Sequence, residues 1–590
     1  MDEKKNRLNF FAINKLIFEI LNKQEKKKFI VFTSLALLSL TLEALGITLF
    51  LPIMSYLVSP SIIENNEYFK LIKSYIIFSK DIYYFYLLIS IFTLIFVLKN
   101  FVLIIINHWQ LNFGNQIRVR ISNIFFSNYL KQNINFFLDR DKSILSKYTH
   151  SETGNIKETI FLLGNFYSEI LIIFFLVAFI IFFNSPLVII LLILCFSIGY
   201  LFDSVTKSKL RKAGSDRFER SNKTAKILMD AFRSLRDLKL YKKENIFFEN
   251  FDTNNRIYGH ATVKHDFILK LPRYFFESIA LIFFCLLVIL NLSINDDIQK
   301  TFVNLTVLFL ITIRLLPSAN KVATAFVGLR YVTPGITAMM KEYRLLTNSY
   351  DNKKNENKKI VSEFKKKIEL KDVNFSYKTD SYIFKNLGLT IKKGEKIAII
   401  GESGSGKTTF LDILTGFLNP SEGKIFFDDK EYEINEVSRL DLFGYVHQDV
   451  ILFNDTIINN ITLSNKTNSD YNVEELNKIY EYCKKAQIYD FIMSLPEKLF
   501  SKVGEDGINI SGGQKQRLGI VRALAANSSV LILDEATNSL DNKTENNFYE
   551  ILRELNKDLT IISINHKLKN KNFFDNIYEL EDKNLKITTN

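Results

Sequence analysis

The sequence predicts two fused parts: a membrane all-α domain of six transmembrane helices, and a C-terminal α/β domain of the P-loop type. Three observations point there. Most of the long apolar runs lie before residue 330. From about residue 365 the composition is that of a soluble α/β domain. Finally, "GESGSGKTTF" (401–410) follows the apolar run "KIAII" (396–400), where a buried strand would feed a phosphate-gripping loop.

In chain order, residues 8–21 ("LNFFAINKLIFEIL") form an amphipathic segment, read as an interfacial elbow helix or an ordinary packed amphipathic helix. No cleavable signal peptide is expected, because the first apolar run is too long and lacks a small-residue cleavage site. A span needs roughly 20 apolar residues. Six candidates meet or approach this: 29–58, 83–106, 161–183, 187–202, 274–292 and 302–316. The fourth and sixth are short and should extend into flanking polar sequence. Only "NSP" (184–186) separates the third from the fourth, which predicts a tight hairpin.

Loop charge sets the orientation. Residues 107–160 carry seven Lys/Arg against four Asp/Glu, and 203–273 carry seventeen against nine. The opposite loops hold three against three (59–82) and one against two (293–301). The positive-inside rule places the N-terminus, both long loops and the C-terminal half in the cytoplasm. Those loops carry helical patterns, so the spans should continue into the cytoplasm as long helices. In 59–82, "EYFKLIKSYIIF" puts Phe69, Ile72 and Ile76 at helical spacing. It suits a helix on the outer membrane face, or equally a packed surface helix. The net charge of +13 follows this topology, which disfavours nucleic-acid binding. The three cysteines, Cys195, Cys285 and Cys483, show no metal or disulfide spacing. Residues 346–367, "LTNSYDNKKNENKKIVSEFKKK", are polar and rich in Asn and Lys. The expected division is a membrane domain at 1–345, a linker at 346–364 and a nucleotide-binding domain at 365–590.

The C-terminal motifs specify phosphate chemistry. Gly401, Gly404 and Gly406 let the backbone wrap a phosphate closely, with Glu402, Ser403 and Ser405 completing the loop and Thr409 following it. A helix starting near Lys407 adds its positive end. Lys407 is placed to reach the β- and γ-phosphates, and the Thr408 hydroxyl to ligate Mg²⁺. "SVLILDE" (529–535) reads as a buried strand ending in two acids. Asp534 suits a Mg²⁺ partner, and Glu535 a general base for the attacking water.

"NISGGQKQR" (509–517) resembles the signature of ATP-binding cassette (ABC) transporters, with Ile510 where Leu is usual. Ser511, Gly512, Gly513 and Gln514 open a helix whose N-terminus would face a γ-phosphate. The chain as a whole resembles a type I ABC exporter. That resemblance implies further roles: Tyr377 in "NFSYK" stacking on adenine, and Gln448 in "GYVHQD" touching Mg²⁺ and the membrane domain. "VGEDG" (503–507) resembles the exporter-specific segment, and "SLD" (539–541) the D-loop with Asp541. His566 in "SINHK" would be the switch histidine, flanked by Asn565 and Lys567 where the family usually has Ala and Arg. Coupling helices are expected near 134–155 and 234–250. One ATPase domain and six spans make half a transporter, so a homodimer with two hydrolysing sites is implied, with ATP and Mg²⁺ as cofactors.

Cargo must be read from ionisable groups in the spans, which cost roughly +2.5 to +3.5 kcal/mol each on insertion scales. Lys99 sits deep in the second span and Arg273 at the cytoplasmic start of the fifth. Arg314 and Lys321 lie seven residues apart, on one helix face. At about 1.5 Å per residue, Arg314 falls near mid-membrane and Lys321 about 10 Å nearer the cytoplasm. Two readings stand: ion pairs with Glu43, Glu169 and Glu277, or a basic cavity for an anionic head group. "RLLPSANK" (314–321) and "LPRYFFES" (271–278) resemble stretches of the PglK-type lipid-linked oligosaccharide flippases, with Lys99 and Lys321 where those carry Arg. The resemblance implies an inner-membrane flippase whose cargo is a polyprenyl-diphosphate-linked oligosaccharide, displayed outside for transfer to protein or surface polysaccharide. Lysine keeps the charge but loses Arg's bidentate fork. The rivals are a lipid A–type flippase and a peptide or drug exporter. A processing peptide exporter would need a protease domain, for which 28 residues before the first span leave no room. A drug exporter would not need four cations. A membrane-tethered regulatory ATPase is the rival outside the transporter class.

Overall fold

The structure, a computed structural model, describes residues 10–588 except 32, 36–37, 39–40, 42–52, 54–81, 139, 183–185, 295–297, 355–358, 362, 378–381, 429, 434–436, 505–509, 537–541, 556–557, 566–567 and 569. The chain divides into two compact units: Met1–Gln132 with Asp139–Tyr350, and Asn133–Leu138 with Asp351–Asn590.

Long helices build the first unit: Ile82–Leu130, Ser151–Phe182, Pro186–Arg233, Glu244–Ile294 and Ile298–Lys354. They contain the last five expected spans; most of the first span and of the outer loop lies outside the described residues. The 49 residues of Ile82–Leu130 reach about 74 Å at the helical rise. A hydrocarbon core is only about 30 Å thick. Each long helix therefore runs well past the bilayer into water, as the loop patterns anticipate. Among the described residues, Ile82–Leu130 and Lys142–Phe175 are long and apolar enough to cross a membrane. Short helices at Asn135–Leu138, Lys142–Thr149 and Leu235–Tyr241 fall within the two stretches where coupling helices are expected.

Small and polar residues let the long helices approach one another. Gln110 is buried and donates to the Phe161 carbonyl at 3.0 Å and to Asn165 at 3.3 Å, joining Ile82–Leu130 to Ser151–Phe182. The helix Phe10–Ile20 buries the apolar face formed by Ile13, Leu16, Ile17 and Ile20. Arg344 holds it through Glu19 at 2.7 Å.

The second unit is sheet-based. Its six-stranded sheet runs, edge to edge, through Asn584–Ile587, Asn576–Glu581, Lys396–Ile400, Thr560–Asn565, Val530–Asp534 and Phe443–Val446. All neighbours pair in parallel except the first two. The central strands, "KIAII", "VLILD" and "TIISIN", read as continuous apolar runs because both sheet faces are covered, one by helices and the other by the phosphate-loop helix with a second sheet. Their buried Ile and Leu side chains divide between two cores. Ile397, Ile532 and Ile562 enter one, and Leu531, Leu533 and Ile561 the other. A separate antiparallel sheet runs Tyr382–Lys392, Lys367–Ser376, Glu422–Phe427 and Lys430–Glu433. In the large sheet the C-terminal ends of the parallel strands place the phosphate loop after Ile400 and the two acids after Leu533 on one edge.

Candidate active site

The loop after Ile400 leads into the helix Lys407–Thr415, which begins at Gly406. Gly406 has φ 105°, and a Cβ there would lie 2.9 Å from Ile383 and 3.1 Å from Phe384. Gly404 also has positive φ, at 86°. Glycine adopts this backbone without strain, leaving loop N–H groups at a helix N-terminus for a phosphate. Ser405 Oγ is buried there without a hydrogen-bond partner among the described residues. Lys407 is buried, and its Nζ donates to the carbonyls of Gly401 (2.7 Å) and Glu402 (2.8 Å). Burial lowers its pKa, and the carboxylates of Glu535 and Asp534 act in the opposite sense. An ammonium held on two loop carbonyls beside two acids can exchange those carbonyls for phosphate oxygens.

Parallel pairing of Val530–Asp534 with Phe443–Val446 brings Tyr445 to Asp534. The Tyr445 hydroxyl donates to Asp534 Oδ2 at 2.8 Å. Burial raises the Asp534 pKa, this hydrogen bond lowers it, and neighbouring Glu535 raises it. Asp412, on the helix after the loop, is pushed up to about 6 by burial and by Asp534. Two carboxyl groups, Asp534 and Glu535, thus face one ammonium, with Asp412 behind Asp534. This shortage of positive charge fits a divalent cation, and Thr408, exposed at the loop's end, offers a hydroxyl to it.

Glu535 is buried and sits at φ 50°, a left-handed conformation uncommon for a side chain of its size. Its N–H donates to the Ile564 carbonyl at 3.0 Å. Gln448 Nε2 donates to Glu535 Oε2 at 3.0 Å, and Gln516 Nε2 in turn donates to the Gln448 carbonyl at 3.3 Å. Strained backbone of this kind concentrates at functional positions. Tyr377 is half exposed, with its hydroxyl 3.2 Å from Thr409 Oγ1 and its ring edge-on to Phe375. That leaves an aromatic surface beside the phosphate loop for a base.

Ser511 caps the helix Gly512–Ala525 in a capping box with Gln514. A Cβ at Gly512 or Gly513 would meet nothing within 4 Å. Nothing among the described residues requires glycine there, so an external group approaching the backbone would explain it. Asp541, His566 and most of "VGEDG" lie outside the described residues. Sequence reasoning missed Tyr445, Asp412 and Gln516. Tyr445 shares a short strand with the approach to Gln448, which was the available hint. Nothing local marks Asp412 or Gln516.

In the membrane unit, Lys321 Nζ lies 2.5 Å from Glu169 Oε1, linking Ile298–Lys354 to Ser151–Phe182. Arg273 pairs with Glu277 at 2.7 Å one helical turn away, both well exposed. Lys99 Nζ lies 4.7 Å from the Phe96 ring centroid. Arg314 lies on the same helix as Lys321, but its side chain and Glu43 fall outside the described residues.

Two family models match the chain: "ABC transporter transmembrane region" over residues 29–316 and "ABC transporter" over 384–538. Among curated relatives, an ATP-dependent lipid A-core flippase of Pseudoalteromonas translucida is 40% identical over 229 residues, 38% of each chain. One of the same name from Pectobacterium atrosepticum is 33% identical over 311 residues, 49% of this chain and 52% of its own. The chain therefore spans between about a third and a half of these relatives' length. The fold is similar to that of a bacterial Atm1-family ABC exporter solved with ATP bound. The TM-score is 0.75, covering 95% of this chain and 94% of that one at 22% identity.

Proposed function

The chain belongs to the ABC transporters, carrying both the transmembrane region and the ATP-binding domain of that family, and from this premise we propose an ATP-driven lipid flippase of the bacterial inner membrane. Two copies form the working unit. The cargo is a polyprenyl-diphosphate-linked oligosaccharide, moved from the cytoplasmic to the outer leaflet.

The arrangement of Lys407, Asp534, Glu535 and Gln448 carries the reading of ATP hydrolysis. Lys407 leaves its loop carbonyls for the β- and γ-phosphates. Glu535 accepts the proton of the attacking water, and Gln448, 3.0 Å from its carboxylate, orients it. Thr408, Gln448 and Asp534 would hold Mg²⁺, which when bound neutralises phosphate charge. Gly512 and Gly513 complete the nucleotide site of the second copy, which explains open space where a Cβ would stand. Asp541 and His566 join that site through the motifs around them.

Lys99, Arg273, Arg314 and Lys321 support an anionic cargo, and the wording of "RLLPSANK" and "LPRYFFES" favours the diphosphate. The names of the Pseudoalteromonas and Pectobacterium relatives favour a second reading, a phosphorylated lipid A–type glycolipid. Flipping of fluorescent polyprenyl-diphosphate oligosaccharide in proteoliposomes with ATP separates these. Wild type should flip it, while Glu535→Gln and Arg314→Ala/Lys321→Ala should not. Flipping by none of the three, with lipid A moved instead, would transfer the assignment to the second reading.

A further inference from the structure

Glu169 and Lys321 form an asymmetric pair. The Glu169 carboxylate is almost sealed, with 5% of its side chain exposed, while Lys321 is 51% exposed. The bond between them is short, yet Glu169 Oε2 is buried without any hydrogen-bond partner among the described residues. A carboxylate ordinarily accepts several hydrogen bonds. This one is held by Lys321 on one oxygen and by no donor on the other. The two residues are 152 positions apart, on Ser151–Phe182 and Ile298–Lys354. The lysine has three N–H donors on a flexible four-carbon stem. Glu169 is fixed by burial, so Lys321 is the partner able to move.

Resting on the anionic-cargo reading above, we propose that Glu169 is an internal competitor for the cargo's anionic group at Lys321. In the unloaded state Lys321 is neutralised and ties the two helices together. An arriving phosphate draws the lysine's exposed face toward itself. The cargo must therefore outbid a built-in carboxylate, and only groups of concentrated negative charge do so. A zwitterionic lipid head, whose phosphate charge is already balanced, does not. The pair thus acts as a selectivity threshold, which a row of unpaired cations would lack. Arg273 presents a weaker version: Glu277 is its partner at 2.7 Å, but both groups are well exposed and solvent screens the pair.

The test measures stimulation of ATPase activity in nanodiscs of zwitterionic lipid, using the full-length protein. Two probes are titrated separately: an undecaprenyl diphosphate and a bisphosphorylated lipid A. Glu169→Gln should lower the half-stimulating concentration of whichever probe binds by about tenfold, a coupling of ordinary size between competing ligands. Glu169→Asp, which keeps the charge but draws the carboxylate back, should shift it the same way by less. In a Lys321→Ala background the effect of Glu169→Gln should vanish, because the two act through one bond. Thermal midpoints verify that each variant is folded. Weaker probe response in both Glu169 variants would overturn the proposal, as would a Glu169→Gln gain that persists without Lys321. Stimulation by lipid A alone, with these shifts intact, would keep the competitor and reject the diphosphate cargo. Wild-type stimulation by the diphosphate with no shift in Glu169→Gln would do the reverse. No response to either probe in any variant would sink both.

Discussion

Tyr445→Phe removes one hydroxyl and leaves the ring. Its hydroxyl donates to Asp534 Oδ2 at 2.8 Å, favouring the ionised acid, while burial and Glu535 oppose ionisation. A hydrogen bond to a charged group contributes about 1.5–3 kcal/mol. One pH unit corresponds to about 1.4 kcal/mol. Removing a bond that favours the charged form raises the pKa, so Asp534 stays protonated to higher pH. The acid limb of the ATPase pH profile should therefore move upward. The assay is phosphate release from the full-length protein between pH 5 and 8.5, at saturating ATP and limiting Mg²⁺, where proton and metal compete for Asp534, normalised to each variant's own plateau. An unmoved acid limb would refute the assignment of Tyr445 as the group that holds Asp534 ionised. A downward shift would mean the hydroxyl acts on the neutral acid instead.

Three further outcomes are expected. Glu535→Gln should lower kcat by at least about 100-fold, the loss usual for a positioned general base, while equilibrium binding of labelled ATP persists. Gly513→Val should leave the thermal midpoint within about 2 °C, as for a surface substitution, because its Cβ meets nothing within 4 Å; ATPase activity should nonetheless collapse if a second copy's nucleotide docks there. Arg439 is 1% exposed and donates through Nε and Nη2 to the carbonyls of Leu414 and Ile413, which end the phosphate-loop helix. Arg439→Ala takes the guanidinium from the Leu414 carbonyl, leaves Ile413 with only the Gly416 N–H at 3.2 Å, opens a cavity, and should destabilise the ATPase domain by about 3 kcal/mol, read as a lower denaturant midpoint.

Much of the nucleotide chemistry was legible without coordinates. The residues from Gly401 to Thr408 are adjacent in the chain, so a glycine-rich turn from a buried strand into a helix N-terminus follows from local order alone. The same holds for "LDE", where two acids follow one another at the end of an apolar strand, and for the helix opened at Ser511. Helix length was legible too, from apolar runs that pass into charged amphipathic sequence.

Sequence order alone could not show which side chain completes each of these groups. Tyr445 meets Asp534 across 89 positions and Gln448 meets Glu535 across 87. Both contacts follow from the parallel register of Phe443–Val446 on Val530–Asp534, and register is a property of paired strands rather than of either one. Lys321 and Arg273 show the same limit in the membrane half. The sequence determined that cations lie in the spans and that glutamates were available to them. Tertiary structure decided that Lys321 stands on a sealed Glu169 from another helix, while Arg273 stands on an exposed Glu277 of its own. Charge is local to a residue, but its neutralisation depends on which helix packs beside it and how far water is excluded.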